Sequence, residues 1–365
     1  MTLAKSAVDV ISSAFEHTKQ QLTQPFRFGQ WTRLAVLALA TGELSSGGGC
    51  SNSWGRLGSL AKPNHSQNFV DPTDLLRGIN PALIGSLVLL AVVSGLILML
   101  IWIYVSSISR FILFESVLRK HCDSFGAGWN RWHSRGMSYF WWQLGLAILG
   151  LGVMAVLLVP LLLPLLAAMR AHQQPGPGLL FAFLPMLLIF GIFSLVMLCI
   201  AVLAKDFVVP LMALEGLGVL EGWRRLLDMM KAEKGSYAGY LGMKVVLAIG
   251  AGVLFTILST IAAMIVILPV GIVAVVLVIA AKGAGLAWNP VTITAAIVTG
   301  TIVIVLLLCV IAFVNVPVAV FFPAYAMYFF AERFPALHAR LYPVPQPLPH
   351  APEAPPFSPP PEPIG

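Results

Sequence analysis

The sequence predicts an all-α fold, a polytopic transmembrane helical bundle of about six spans with amphipathic interfacial helices. Composition is the first reason: 58% of the 365 residues are hydrophobic and 10% charged, with mean hydropathy +0.89, whereas soluble domains carry about 25% charge. Long uncharged runs are the second, and the alternation of basic residues between successive connections is the third.

Residues 1–25 read as an N-terminal amphipathic helix. Val8, Ile11, Phe15 and Leu22 fall on one stripe, Lys5, Asp9, Glu16 and Lys19 lie elsewhere, and Pro25 ends the pattern. No basic-then-apolar leader precedes it, so these residues are expected to stay in the mature chain. The transmembrane helical domain is expected over 26–333. Its first piece, 26–41, is short for a crossing, with Arg27 and Arg33 placed to snorkel, and is read as a first crossing or a re-entrant segment. The Gly- and Ser-rich stretch 42–82 reads as an extracytoplasmic loop.

Leu83–Ile108, Gln143–Met169, Leu179–Ala204 and Thr292–Val314 contain no charged residue, and each is long enough to cross. Val245–Ala281 is broken by Pro269 and is expected to make one crossing with a kinked or re-entrant tail. Beyond Val314, the six aromatics between Phe321 and Phe330 suit an interfacial belt. Residues 334–365 read as a Pro-rich disordered tail, with 11 prolines among the last 23 residues.

Connections 109–142 and 205–244 hold five and six Lys plus Arg, whereas 170–178 and 282–291 hold one each. The rich pair is therefore expected in the cytoplasm, with both termini there as well, in a multi-pass protein of the inner membrane. The two rich connections also share a layout. Each has an apolar exit, a glutamate (Glu115, Glu215), a Gly-Trp-x-Arg step (Gly128–Arg131 with Trp129, Gly222–Arg225 with Trp223), then Ser-Tyr before the next span. Glu115 and Glu215 are placed either to contact Arg131 and Arg225 or to cap and solvate an interfacial helix. In the second connection, Val219, Trp223, Leu226, Leu227 and Met230 form an apolar stripe. Glu221 with Arg225 and Arg224 with Asp228 have ion-pair spacing, and Gly235 is the expected C-cap.

The segment Asp206–Leu226, DFVVPLMALEGLGVLEGWRRL, the span before it, the closing VPVAVFFPAYAMYF (Val316–Phe329) and PFRFGQWTRLA (Pro25–Ala35) resemble uncharacterised prokaryotic polytopic membrane proteins. These are similar to the membrane domain of glycerophosphoryl diester phosphodiesterase. The resemblance implies a six-span bundle, and the phosphodiesterase activity is not carried over, because only a Pro-rich tail is expected after the last span.

Candidate contacts for lipid or a partner protein are Lys205, Asp206, Glu215, Trp223, Arg224, Arg225, Glu115, Trp129 and Arg131. Lys205 and Asp206 close a span, where their opposite charges are expected to compensate in part. His121, Cys122 and Asp123 are consecutive and so do not face one another as metal ligands would, even with His133 nearby. Gly47–Gly49 lacks the strand and GK[ST] of a phosphate loop. No cofactor, metal or nucleic acid is expected. The expected function is non-enzymatic: a membrane module that organises lipid or partner proteins at the cytoplasmic face, with the bilayer as its main partner and the Pro-rich tail available to a protein. A permease for a lipid or other uncharged molecule is the alternative, and it draws on the repeat and on Asn315 beside Pro317.

Overall fold

A computed structural model describes residues 6–42, 81–170, 177–283 and 290–342, and all regular structure among them is helical. The loop core 43–80, the links 171–176 and 284–289 and the Pro-rich segment 343–365 lie outside the described residues. In chain order the helices are α1 (Val10–Thr23), α2 (Phe28–Thr41), α3 (Pro81–Leu118), α4 (Phe125–Arg170) and α5 (Pro177–Leu203). A π turn (Ala204–Val208) joins α5 to α6 (Val209–Glu215), followed by α7 (Val219–Ala232), α8 (Lys234–Gly283), α9 (Pro290–Ala331) and α10 (Pro335–Leu341).

Five stretches, within α3, α4, α5–α6, α8 and α9, are long and apolar enough to cross a bilayer, which makes this a multi-pass membrane protein. Helices are the natural outcome, since a backbone in lipid must satisfy its hydrogen bonds within its own segment. The same pressure carries α8 through Pro269 as one continuous helix, so the tail that the sequence predicts as kinked or re-entrant belongs to the same helix. A proline removes one ladder bond, and the flanking turns remain the best option for an apolar backbone. The first predicted crossing, 26–41, holds only the 14 residues of α2, about 21 Å of helix. It is not among the five long helices, and the path from Gly42 to Pro81 lies outside the described residues.

The core is concentrated at one end of the bundle. Buried side chains cluster on the last turns of α3 and α9, the first turns of α4 and α8, the π turn, α6 and the N-terminal helices. In their most apolar windows the five long helices have at most 6% of residues buried, so the spans bury little of their surface beyond this packed end. The six aromatics of 321–330 belong to the core and not to the predicted interfacial belt: Phe322, Tyr325, Phe329 and Phe330 are buried, and Tyr240 stacks on Tyr325 with ring centres 5.2 Å apart.

Helices α3 and α4 approach closely at Gly136, where a Cβ would fall 2.5 Å from the Ile108 side chain and 3.1 Å from its Cα. Ser107 Oγ donates to Gln143 Oε1 across the same pair at 3.2 Å. Asn315 Nδ2 donates to Ser259 Oγ at 3.1 Å, joining α9 to α8.

Helix α1 is turned relative to the predicted stripe. It buries Val10, Ala14, His17, Thr18, Gln21 and Leu22, while Val8 and Phe15 are exposed. Its polar groups face inward because the last turn of α3 offers carbonyls there: His17 Nε2 donates to Val117 O at 2.8 Å and Gln21 to Ser116 O at 3.0 Å, while Tyr325 Oη of α9 donates to Ala7 O at 3.1 Å. The C-terminal boundary also moves, because 335–341, predicted as tail, is α10, with Leu337 wholly buried. Helices α1 and α10 thus lie at the same, packed end.

Candidate functional site at the packed end

The π turn is a local consequence of the sequence Lys-Asp-Phe-Val-Val-Pro. Pro210 has no N–H for the carbonyl four residues back, and its ring crowds that carbonyl. The ladder widens just before it, with Val209 N–H bonding Ala204 O. The widened turn points Asp206 into the core, where its side chain is 1% exposed.

Asp206 Oδ2 accepts from Tyr240 Oη at 2.9 Å and forms an ion pair with Lys244 of α8. Both partners lie on α8, and neither was among the candidate contacts read from the sequence. Helix α8 brings Tyr240 and Lys244 to one face at i,i+4 spacing. The Lys244 ammonium also lies over the Tyr240 and Phe322 rings, 5.9 and 5.8 Å from their centres. Beside this pair a cavity of about 30 Å³ is lined by Arg110 and Phe114 of α3, Lys205 and Asp206 of the π turn, and Pro323 and Met327 of α9. Arg110 Nη1 donates to Tyr139 Oη at 2.8 Å. Arg110 and Lys205 thus share a cavity wall with Asp206, whose carboxylate is held by Lys244 from α8.

The two similar connections are each held by the predicted Glu–Arg contact. Glu115 pairs with Arg131 and, at 2.9 Å, with Arg119, and its second oxygen accepts from Trp132 Nε1 at 2.6 Å. Glu215 pairs with Arg225 at 2.8 Å. In both, the glycine of Gly-Trp-x-Arg lets the second helix press on the first: a Cβ at Gly128 would lie 3.1 Å from Ile112, and one at Gly222 3.1 Å from Val208. Trp129 packs edge-on to Tyr104, Trp223 packs on Trp142, and both are half-buried. Arg224 is exposed on the outer face of α7. On the predicted stripe, Val219 and Leu226 are buried but Leu227 is exposed; Glu233, not Gly235, ends the helix.

Sequence reasoning missed Arg135, which closes the C-terminal end of α6 by donating to Met212 O at 3.2 Å and Ala213 O at 2.8 Å. It also missed His17 and Lys244. Lys244 had a signal, a lone lysine one turn after a tyrosine at the start of an apolar run, but its partner is 38 residues away. Among the described residues no group of three metal-capable side chains converges. His133 bonds Tyr104 Oη at 3.0 Å, and His121 lies 3.9 Å from Asp123.

His17 joins three helices, its Nε2–H donating to Val117 O and its Nδ1 accepting from Tyr328 Oη at 3.2 Å. Burial holds its pKa below the usual 6.5, with the backbone bond opposing and Lys120 assisting. The unfolded chain therefore binds more protons than the folded one as pH falls through 6.5. His17 stability is complete above that value and lost toward the lowered folded pKa. Thermal unfolding of the wild type is expected to shift downward between about pH 8 and pH 5, and His17→Gln is expected to flatten that slope. An identical slope in both proteins would remove His17 from the account.

The chain belongs to a family of unknown function, DUF7544, whose match covers residues 5–340. No curated protein and no solved structure shows significant similarity to it.

Proposed function

We propose that this member of a family of unknown function is a non-enzymatic membrane module that organises anionic lipid at the cytoplasmic face of the inner membrane, with the packed end and both termini on that side. The observation that carries the reading is the centre at the π turn. Arg110 and Lys205 line one cavity beside the buried Asp206–Lys244 pair, at the end of the bundle where headgroup phosphates would meet a packed protein surface. The five and six basic residues of the connections at this end support the orientation.

The test is native mass spectrometry of the protein released from nanodiscs of mixed phosphatidylglycerol and phosphatidylcholine. Preferential retention of the anionic lipid is expected, and Arg110→Gln with Lys205→Gln is expected to abolish the preference. Equal retention of both lipids in the wild type sinks the reading. A permease is the second reading, favoured by the ion pair Asp206–Lys244 lying on helices that continue into the spans. Faster flux of a neutral solute into proteoliposomes than into empty ones would promote it.

Sidedness needs a probe other than Cys122, which is buried, with a thiol pKa raised by that burial. A cysteine at exposed Ser134 is the better reporter. In a Cys-less background Ser134→Cys is expected to escape a membrane-impermeant maleimide in intact cells and to react after permeabilisation; labelling in intact cells would reverse the orientation.

A further inference from the structure

We propose that a second lipid contact lies between α2 and the α3–α4 link: a seat for one acyl chain of a glycerophospholipid whose phosphate meets Arg33. This rests on the lipid-organising reading but uses a different part of the molecule. A cavity of about 190 Å³ is lined by Thr32, Val36, Leu37, Ile112, Cys122 and Phe125, with Arg33 and Asp123 also on its wall.

Its depth follows from what α2 touches. Near its start, Gln30 donates to Lys120 O at 3.1 Å, at the polar link; at its far end, Thr41 O accepts from Ser106 Oγ at 3.3 Å. Twelve helical residues separate Ser106 from Leu118, about 18 Å along α3. The 21 Å of α2 therefore occupies roughly one leaflet, and the cavity opens near the boundary between headgroups and chains. Val36, 51% exposed, and Phe125, 39% exposed, stand at its wall where they meet chains.

The chemistry selects the occupant. Away from Thr32, Arg33 and Asp123 the lining is apolar and offers water few of the two to four polar partners that it needs. Leaving it empty forfeits dispersion contacts along every wall. Wholly apolar cavities of about 150 Å³ take up benzene, so by volume this one has room for roughly six to eight carbons. The apolar filler present in quantity at this depth is an acyl chain. Arg33 uses one N–H group on Cys122 O at 2.9 Å, and its side chain is exposed. An Arg guanidinium has five N–H donors, so it can serve a phosphate at the rim at the same time.

The test is photolabelling in nanodiscs with a phospholipid carrying a diazirine on its acyl chain, followed by peptide mapping. Adducts are expected on 32–37 and 112–125 at several times the yield found on the exposed span segment 261–268. Val36→Trp, at an exposed position that core packing does not constrain, is expected to reduce the adducts on 112–125 at least threefold without changing those on 261–268. Thr32→Leu, which narrows the mouth by another route, is expected to act in the same direction. Adduct yields no higher than on the spans, or yields unchanged in both variants, would overturn the seat. The variant Arg110→Gln with Lys205→Gln separates the two proposals: it is expected to lose anionic preference and keep these adducts, whereas loss of the adducts as well would overturn a separate seat.

Discussion

Asp206→Ala is expected to lower the stability of the packed end by about 3–5 kcal/mol, the range found when one partner of a buried ion pair is removed. The loss does not measure the strength of the pair. It comes from what remains: the Lys244 ammonium, with its side chain 11% exposed, and the Tyr240 hydroxyl both lose their acceptor in the core. Thermal unfolding in nanodiscs, followed by intrinsic fluorescence, reads the effect. Asp206→Leu combined with Lys244→Met is expected to recover most of it, because a well-packed apolar pair carries no desolvation cost. If the double variant is no more stable than Asp206→Ala, the pair does more than neutralise itself. If Asp206→Ala melts with the wild type, Asp206 is not the acceptor that holds α8 to the π turn. The same variants bear on function, since a lipid site built on Arg110 and Lys205 is expected to keep its anionic preference when Asp206 and Lys244 are removed together.

The class of the fold and the placing of the long spans were legible because hydropathy acts locally: a run such as Thr292–Val314 has no alternative to a membrane helix or a deep core. The Glu115–Arg131 and Glu215–Arg225 contacts were legible as one of two options, because a glutamate precedes a Gly-Trp-x-Arg step in both connections, although the gap is six residues longer in the first. The face of α1 was not. An apolar stripe assigns Val8 and Phe15 inward when water is the outside; beside a bilayer, the outside is also apolar, and the carbonyls of Ser116 and Val117 make the inside the better place for Gln21 and His17. The aromatics of 321–330 were misplaced for the same reason. Composition alone does not distinguish a belt from a core, and Phe329 and Phe330 are drawn inward by partners on α8 and the π turn that lie about 90 or more residues earlier. The partner of Asp206 depended on tertiary proximity of this kind, although Pro210 marked the place where the helix had to widen.

Phe207→Ala is expected to cost about 3–5 kcal/mol, comparable with loss of the buried charge beside it. The Phe207 ring is fully buried and meets Tyr237, Tyr240, Phe329 and Phe330 at centre distances of 5.4, 5.0, 6.1 and 5.2 Å, joining the π turn to α8 and α9. In a membrane protein, transfer from water contributes less to helix association, so dispersion and close packing carry the load, and a cavity here removes contacts on four aromatic faces at once. The comparison that decides is Ile265→Ala, on an α8 surface 69% exposed to the bilayer, where an effect within about 0.5 kcal/mol is expected. If stability instead resided in the spans, Ile265→Ala would match Phe207→Ala and the packed end would lose its standing as the organising core. Phe207 and Asp206 are neighbours on one turn, so their effects are expected to be non-additive: the double variant should cost less than the two single losses together, since a cavity at Phe207 already lets water reach Lys244.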